Sequence, residues 1–342
     1  MGRVLVLGGS WFLGRVITEE ALAQGWAVTT FRRGVSGQDV PGVETVRGDR
    51  TVRADLAQLA RSGPWDVVVD TSGYVPRESG VIARELEAVA GRFVFVSSVS
   101  AYTGWPVEPL TEESEVLECP PDADGDFGFD GDPGPSVYGF TKAGCERAVR
   151  EVFGRGRTVV LRPGVILGPW EYVGRLPWWL RRMERGGRVL APGLPSRSVQ
   201  PVDVRDVALF ALSAPAGVFN LTGVDSTMEQ LLGVCRDVVG SGRVELSWVS
   251  DEPWLVEQGV RQWTELPLWR IYRGTWAVSS AAAVAAGFAQ RGLRSTVVDT
   301  WEWMNAASGA VANERSTEHG ITPEKESAIL GMWDARERDH CG

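Results

Sequence analysis

From Arg3 to about residue 174, short apolar runs alternate with longer helical segments. The runs RVLVLGG, AVTTF, WDVVVDTSG and RFVFVSS are rich in Val, Leu and Phe, which is typical of strands buried on both faces. Segments such as LGRVITEEALAQG and VYGFTKAGCERAVREVFG have the length and period of helices. Strands joined by helices form parallel sheets with right-handed crossovers. The alternation therefore predicts an α/β fold with a doubly wound parallel (Rossmann) sheet, whose ligand crevice lies at the carboxyl ends of the strands.

The pattern changes after residue 174, where helices are interleaved with short strands such as GVFNLTG and RVELSWV. We expect part of this region to return to the sheet and the rest to form a smaller C-terminal α/β substrate lobe. The predicted segments are a Rossmann domain with the catalytic residues at 1–174, a mainly substrate-binding lobe at 175–305, a linker at 306–321, and a C-terminal helix and tail at 322–342. Thr322 is the predicted N-cap of that last helix and Pro323 its first residue.

Composition excludes several classes of function. The 342 residues carry a net charge of −9, which argues against a nucleic-acid partner because such a partner requires a basic face. No apolar run reaches the roughly 18 residues of a membrane span, and a strand is predicted from about Val4, so we expect neither a membrane span nor a signal peptide. The four cysteines lack metal or redox spacing, which favours a reducing cytoplasm; they are Cys119, Cys145, Cys235 and Cys341. With His319 and His340 as the two histidines, we expect no metal site and no Ser-His-Asp triad.

The turn GGSWFLG joins the first predicted strand to the first helix. Gly8, Gly9 and Gly14 meet the needs of a dinucleotide site: a tight turn, close approach to a pyrophosphate, and close packing of helix on strand. The helix N-terminus then offers N–H groups to the phosphates. Trp11 stands where the common fingerprint has its middle glycine, and its indole N–H can donate a hydrogen bond to a phosphate.

The segment TTFRRG after the second strand indicates which dinucleotide binds. An NAD site usually has an acidic residue here, which accepts hydrogen bonds from the ribose hydroxyls. This chain has Arg32 and Arg33 instead, and guanidinium groups bind a 2′-phosphate through paired charge-assisted bonds. The sequence therefore favours NADP(H), with Arg32 as the better ligand, over NAD(H). The alternative is that both arginines are ordinary solvated side chains.

Tyr138 and Lys142 are four residues apart and so share one face of their predicted helix. A tyrosine with the unperturbed pKa of about 10 is a poor acid or base at neutral pH. A neighbouring ammonium group favours the phenolate, which is the physical reason to place a lysine one turn from a catalytic tyrosine.

Taken together, these segments resemble the extended and atypical short-chain dehydrogenases/reductases, which include NAD-dependent epimerase/dehydratase-like proteins. GGSWFLG is similar to the GGTxFLG variant of the glycine motif, in which a larger residue replaces the middle glycine. SSVSAY, YGFTK, LRPGVILGP and SVQPVDVRDVA are similar to the serine, YxxxK, RPxxxxGP and IHVDDVA segments of the family. The resemblance spans residues 3–225 and extends weakly to 305.

The resemblance implies a role for each matching residue. The catalytic set is Ser98, Tyr138 and Lys142, with Ser97 and Ser100 as alternatives to Ser98. The implied cofactor-binding residues are Gly8, Ser10, Trp11, Phe12, Leu13, Gly14, Arg32, Arg33, Asp49, Arg50, Thr71, Ser72, Gly73, Tyr138, Lys142 and Pro163. Candidate substrate contacts are Ser100, Trp105, Trp178 and Arg197, the last where some relatives bind a substrate phosphate. The resemblance also implies a homodimer formed through the long helices.

Ten acidic residues lie between Glu108 and Asp132, and no Lys, Arg or His occurs between Arg92 and Lys142. This acidic insert is either a solvated surface loop or a mobile flap that selects a neutral or cationic substrate.

We therefore expect an NADP(H)-dependent oxidoreductase that acts on a carbonyl or hydroxyl of a small-molecule metabolite, with Tyr138 as general acid/base. One alternative is a nucleotide-sugar epimerase or dehydratase with tightly bound NAD. In dehydratases an acidic residue often follows the active-site serine, and Val99 at that position disfavours a dehydratase. The other alternative is a non-catalytic protein that senses NADP or associates with RNA, against which the net charge and the intact serine, tyrosine and lysine argue.

Overall fold

The computed structural model of the chain describes residues 2–35, 37–240, 242–306 and 319–341. The chain divides into two compact units that are interleaved along the sequence. Unit 1 comprises Met1–Ile166, Val202–Thr222 and Tyr272–Gln290, and unit 2 comprises Leu167–Pro201, Gly223–Ile271 and Arg291–Gly342. The sequence placed one boundary after residue 174, with part of the later chain returning to the sheet. Most of the predicted linker at 306–321 lies outside the described residues.

Strands and helices alternate along most of unit 1, and the elements of both units are numbered together in chain order. The strands are β1 Arg3–Leu7, β2 Ala27–Arg32, β3 Glu44–Arg47, β4 Trp65–Asp70, β5 Ala90–Val96, β6 Thr158–Pro163, β7 Ile166–Leu167, β8 Gly187–Pro192, β9 Ser198–Val199, β10 Val202–Asp203, β11 Gly217–Leu221, β12 Ser226–Thr227 and β13 Val244–Val249. The helices are α1 Phe12–Ala23, α2 Arg53–Arg61, α3 Pro76–Leu86, α4 Val137–Phe153, α5 Arg175–Glu184, α6 Val204–Ser213, α7 Met228–Val239, α8 Glu252–Glu257, α9 Ala281–Ala285, α10 Leu293–Asn305 and α11 Pro323–Cys341.

Seven strands of unit 1 form one sheet in the order β11-β6-β5-β4-β1-β2-β3, and their pairings are parallel. The order reverses at β1, which has β2 on one side and β4 on the other. In doubly wound sheets the ligand crevice lies outside the carboxyl ends of the strands at such a switch point. The predicted fold class is therefore confirmed, and the glycine turn after β1 lies at the switch point.

Burial on both faces of the sheet explains why its strands are continuous apolar runs. On one face, Leu5 and Phe93 pack with Leu56 of α2, Ile82 of α3 and Val149 of α4 in one buried cluster. Elsewhere in unit 1, α1 packs against α6. The sheet is thus covered by helices, as its sequence pattern requires.

In unit 2, α5, α7 and α10 pack against one another, and β8 pairs with β13 in parallel. The last helix starts at Pro323 as predicted, and the Thr322 hydroxyl caps it by accepting a hydrogen bond of 3.3 Å from the Lys325 N–H. Arg182 of α5 binds Glu326 of α11 at 2.8 Å in a buried ion pair. No helix in the described ranges is both long and apolar enough to cross a membrane.

Candidate functional site

The glycine turn between β1 and α1 has no room for side chains. Gly8 has a φ of +110°, and a Cβ there would lie 2.7 Å from Thr71 Oγ1. A Cβ at Gly14 would lie 2.8 Å from the same oxygen, and a Cβ at Gly9 would lie 2.5 Å from Thr30 Cγ2. Glycine is therefore required at all three positions, and the bare backbone allows a diphosphate to approach closely.

The start of α1 is suited to an anion. The N-cap residue of α1 is Trp11, and its side chain makes no capping hydrogen bond to the first turn of the helix within the described residues. The N–H groups of a first helical turn and the helix dipole together favour a phosphate. Ser10 and Leu13 are buried beneath the turn, whereas Trp11 and Phe12 are partly exposed beside it. The predicted motif therefore supplies both the cradle and the electrostatics of a diphosphate site.

A cavity of about 510 Å³ lies beside this turn within unit 1. Residues at the carboxyl ends of β1, β2 and β3 and in the loop after β4 line it. Six predicted cofactor residues are brought together in its wall: Gly8, Arg32, Arg33, Asp49, Arg50 and Ser72. The wall also contains residues that we did not predict, among them Gly48, Thr51, Tyr74 and Glu78. This path, from the first βα turn to the residues after β2, is the one that the adenosine half of a dinucleotide follows in doubly wound folds.

The two arginines after β2 have different surroundings. The Arg32 side chain is 7% exposed, and its guanidinium donates to the Gly37 carbonyl at 3.1 Å and to the Asp39 carboxylate. The Arg33 side chain is 65% exposed and forms a long ion pair of 4.0 Å with Asp49. The sequence favours Arg32 as a phosphate ligand, but the structure makes the Arg33 guanidinium the more accessible donor, because Arg32 is engaged by its own loop.

Asp49 and Arg50 follow β3 at the cavity wall. The Asp49 carboxylate accepts hydrogen bonds from the Thr51 N–H at 2.9 Å and the Thr51 hydroxyl at 2.8 Å, which hold the pKa of Asp49 below its usual value. The Arg50 guanidinium donates to the two carboxylate oxygens of Asp70 at 3.2 and 2.8 Å and to Ser72 Oγ at 2.9 Å. Arg50 was predicted only as a neighbour of Asp49 at the cofactor. In the structure its side chain links the end of β3 to the end of β4.

Asp70, the last residue of β4, is a site residue that the sequence analysis missed. Its side chain is fully buried, and burial alone would raise its pKa, but the charge and hydrogen bonds of Arg50 hold the pKa below the ordinary value. A buried carboxylate requires such a partner. The next residue, Thr71, donates its hydroxyl to the Leu7 carbonyl at 3.0 Å and so ties the end of β4 to the glycine turn. The available signal was an acidic residue closing the apolar run WDVVVD.

Lys142 connects α4 to the sheet. Its ammonium donates to the Val96 carbonyl at 2.7 Å and the Gly73 carbonyl at 2.9 Å, at the end of β5 and just beyond β4. The side chain is buried, and burial lowers the pKa of the Lys142 ammonium. The predicted lysine is therefore fixed at the carboxyl edge of the sheet, where the crevice of this fold lies.

Tyr138 lies in the first turn of α4, with its side chain exposed. The Lys142 Nζ is 5.8 Å from the centre of the Tyr138 ring and 4.8 Å from the centre of the Tyr74 ring. The two tyrosine rings are themselves 6.4 Å apart. The structure thus brings the predicted pair together as expected, and adds a second phenol from the cavity wall that the sequence analysis missed.

Three serines follow β5. The Ser98 hydroxyl accepts a hydrogen bond from the Ser100 N–H at 3.1 Å and lies 3.2 Å from the Ser100 hydroxyl. Ser97 is buried, and its hydroxyl has no hydrogen-bond partner among the described residues. Ser98 and Ser100 therefore form a pair of hydroxyls, and Ser97 is the weaker alternative because its side chain is turned into the protein.

Two more predicted residues lie in unit 1. Pro163 ends β6 and is buried beside Leu221, its partner on β11. Trp105 is partly buried and packs against the cluster of Val99 and Tyr102, just after the serines. Pro163 thus lies at the carboxyl end of its strand and Trp105 in the segment after β5, and their ligand roles stay predictions.

The predicted substrate residues Trp178 and Arg197 lie in unit 2. The Arg197 guanidinium binds the Glu252 carboxylate and donates to the Arg270 carbonyl. Trp178 packs edge-on against Trp179, with ring centres 4.7 Å apart. Arg197 is thus held by internal partners, and a role on a substrate phosphate stays a prediction for both residues.

The acidic insert is attached to the start of α4. The Asp130 carboxylate accepts a hydrogen bond of 3.0 Å from the Val137 N–H, the first residue of α4. The rings of Phe127 and Phe129 pack on Phe140 at 6.2 and 5.2 Å between centres. The insert therefore contacts the helical turn that carries Tyr138. The described residues contain no cluster of His, Cys, Asp and Glu suited to a metal ion.

Two solved structures share this architecture. The Bordetella bronchiseptica enzyme WbmG in complex with NAD has a TM-score of 0.66 at 17% identity, over 91% of this chain and 96% of that chain. The UDP-glucose 4-epimerase of Thermotoga maritima, solved with UDP-glucose, has a TM-score of 0.65 at 19% identity, over 88% of this chain and 97% of that chain. At these identities the likeness establishes the fold.

One curated relative has a name that describes binding to a stem-loop rather than an enzyme activity. The chloroplast stem-loop binding protein of 41 kDa b from Arabidopsis thaliana is 24% identical over 267 residues, which cover 71% of this chain. The match spans 65% of that protein's length, which is less than two thirds.

A family model matches more than half of the chain. The model described as the NAD dependent epimerase/dehydratase family matches residues 4–220. This match runs from β1 into β11 and so takes in every strand of the seven-stranded sheet. It includes the glycine turn, the serines after β5 and the helix that carries Tyr138 and Lys142. The chain therefore belongs to the NAD-dependent epimerase/dehydratase family.

Proposed function

We propose that the protein is an NADP(H)-dependent oxidoreductase that acts on a carbonyl or hydroxyl of a small-molecule metabolite. Membership of the family makes it an NAD(P)-binding enzyme of the short-chain dehydrogenase/reductase superfamily. The observation that carries the choice of NADP(H) is the exposed Arg33 guanidinium at the cavity wall, where an NAD site would present an acidic residue.

The residues present fit a dinucleotide. Bare glycines at Gly8 and Gly14 and the first turn of α1 suit the diphosphate, and the wall at Asp49 and Arg33 suits the adenosine. Lys142 is placed to hold the nicotinamide ribose, by resemblance to the family. When bound, the nicotinamide supplies or accepts a hydride at the carbon that bears the reacting oxygen.

The chain's own residues handle the proton. Tyr138 donates a proton to the substrate oxygen, or removes one from it, according to the direction of reaction. The Lys142 ammonium stabilises the Tyr138 phenolate electrostatically, since a nearby positive charge favours the charged form of an acid. The Ser98 hydroxyl, oriented by the Ser100 N–H that it accepts from, turns its one proton from the Ser100 hydroxyl to the same substrate oxygen.

A nucleotide-sugar epimerase is the second candidate. It is supported by the fold shared with the Thermotoga maritima UDP-glucose 4-epimerase. Such an enzyme uses the same proton-transfer groups, but keeps NAD bound and returns the hydride to the substrate. The two candidates therefore differ in whether the dinucleotide exchanges.

The non-catalytic alternative has one point in its favour, the stem-loop binding named for the Arabidopsis relative. The net charge of −9 counts against a nucleic-acid partner for this chain.

We also propose a cytoplasmic location, supported by free thiols at Cys119, Cys145 and Cys235. The implied homodimer and the selection of neutral or cationic substrates by the acidic insert are retained as proposals.

The test is to denature freshly purified protein, identify any released nucleotide by mass spectrometry, and titrate the stripped protein with NADPH and NADH. We expect an empty or exchangeable site that binds NADPH at least tenfold more tightly than NADH. Retained NAD would instead support the epimerase. Because Tyr138→Phe removes only the phenol hydroxyl, it should abolish turnover and leave NADPH affinity within about threefold of the wild type.

A further inference from the structure

Two arginines are brought side by side at the edge of the cofactor cavity. Arg32 and Arg47 are directly paired residues at the ends of β2 and β3. Neighbouring strands are about 4.8 Å apart, and like charges directly opposite each other destabilise a sheet. Asp39, from the loop between the two strands, binds Arg32 and accepts a hydrogen bond of 2.5 Å from Arg47. Asp39 is therefore the internal anion that satisfies this pair of cations.

The loop after β2 is shaped around the same contacts. Gly34 has a φ of +86°, and a Cβ there would lie 2.6 Å from the Arg47 guanidinium. The Thr45 hydroxyl donates to the Asp39 carboxylate at 3.3 Å, and the Gly37 carbonyl accepts from Arg32. The Arg47 guanidinium thus lies against Gly34, the residue that follows Arg32 and Arg33. The Asp39 side chain is 43% exposed to solvent.

We propose that Asp39 sets the discrimination between NADP(H) and NAD(H), because its carboxylate occupies the anion position of the Arg32–Arg47 pair and competes with a 2′-phosphate. The inference rests on the proposed dinucleotide function and names the residue that limits its selectivity. It assigns Arg33 as the first phosphate ligand, and Arg32 and Arg47 as donors that become available when Asp39 is displaced.

The charges in this corner explain why the competition matters. A phosphate monoester carries a charge of about −1.5 to −2 at pH 7, and so it repels a neighbouring carboxylate. The hydrogen bond from Arg32 holds the pKa of Asp39 below its usual value, so Asp39 is an anion at neutral pH. Removing that charge takes away the carboxylate that Arg32 and Arg47 share, while the Asp49 carboxylate stays 4.0 Å from the Arg33 guanidinium.

The test measures binding of adenosine 2′,5′-bisphosphate and of 5′-AMP, which differ only in the 2′-phosphate, to the full chain by calorimetry at low salt. Asp39→Asn should tighten binding of the bisphosphate by about tenfold, equivalent to about 1.4 kcal/mol, and should leave 5′-AMP within twofold. Glu44→Gln is the matched control. Glu44 is an exposed acidic residue at the start of β3, three residues and about 10 Å before Arg47. Its substitution should change neither the affinity for the bisphosphate nor that for 5′-AMP by more than twofold.

Each outcome has one meaning. If Asp39→Asn binds the bisphosphate no more tightly than the wild type, or more weakly, the inference is wrong, and Asp39 acts only to orient its arginines. An equal gain in the Glu44→Gln variant would also overturn it, since the effect would then be general electrostatics. The proposed cofactor preference is tested separately, by the NADPH-to-NADH ratio of the wild type. A wild type that prefers NADH would refute that preference, while a gain in Asp39→Asn would still support the inference.

Discussion

Glu146 and Arg162 form a buried ion pair that holds α4, the helix of the proposed catalytic pair, against the sheet. Glu146 lies one turn beyond Lys142 on α4, and its carboxylate accepts two hydrogen bonds, of 2.8 and 2.5 Å, from Arg162 at the end of β6. The two side chains are 4% and 3% exposed. Removing one partner of a buried pair typically costs about 3–5 kcal/mol, because the other charge is left without compensation. The Tyr102 ring, 4.6 Å from the Arg162 guanidinium, reduces that penalty. We therefore expect Glu146→Leu to lower the free energy of unfolding by about 3 kcal/mol, at the lower end of that range.

The assay is urea unfolding at pH 7, followed by tryptophan fluorescence and by far-ultraviolet circular dichroism. The double variant Glu146→Leu/Arg162→Met provides the control, since it removes both charges and retains apolar volume. We expect the double variant to be more stable than Glu146→Leu, because no buried charge is left unpaired. A single variant that loses less than about 1 kcal/mol, the value of an exposed pair, would refute the reasoning. So would a double variant whose loss equals the sum of the losses of Glu146→Leu and of Arg162→Met, each measured as a single variant.

Four further predictions address the site. Gly8→Ala should weaken NADPH binding at least tenfold in a fluorescence titration, because its Cβ meets Thr71; Gly42→Ala, with a φ of +86° and no atom within 4 Å of its Cβ, should have no such effect. Since the folded-state pKa of Asp70 is lowered, its contribution to stability is present above its unfolded pKa of about 3.9 and lost as pH falls. The stability deficit of Asp70→Asn in urea unfolding should accordingly shrink below about pH 4. Burial raises the pKa of the Cys145 thiol to about 11, so iodoacetamide at pH 8 should label Cys145 only after unfolding, as mapped by mass spectrometry. Burial lowers the pKa of Lys142, so NADPH affinity should fall as pH rises through a value below 10.5, and Lys142→Arg should remove that step.

The fold and the outline of the site could be predicted because their signals are local. A parallel sheet buried on both faces requires continuous apolar strands, so the alternation of strand and helix specified the architecture. The glycine turn was recognisable because Gly8 and Gly14 must lack side chains wherever a strand turns tightly into a phosphate-binding helix. Tyr138 and Lys142 were found from their helical spacing, from their position after the fifth strand and from the resemblance of YGFTK to the family's YxxxK segment.

The residues that were missed depend on contacts between distant parts of the chain. Asp70 gains its role from Arg50, twenty residues earlier, and neither residue signals the other in the sequence. Asp39 looks like an ordinary acidic loop residue until β2 and β3 place Arg32 and Arg47 side by side. Tyr74 follows the predicted TSG segment by one residue, but its approach to Lys142 depends on how α4 docks. Which charged side chains pair with each other depends on the tertiary structure, and local sequence patterns do not reveal it.

The docking of α4 also shows why a tyrosine and a lysine four residues apart are a weak signal alone. A Cβ at Gly139 would collide with the Ser100 carbonyl, and a Cβ at Gly144 would lie 2.5 Å from Cys119 Sγ. These glycines let the helix approach the chain after β5 closely enough for Lys142 to reach the Val96 carbonyl. Two turns along from Tyr138, Glu146 fixes the same helix to β6. The informative unit is therefore the whole segment YGFTKAGCE, in which small residues and one acid specify the position of the helix, and Tyr138 and Lys142 acquire their geometry from them.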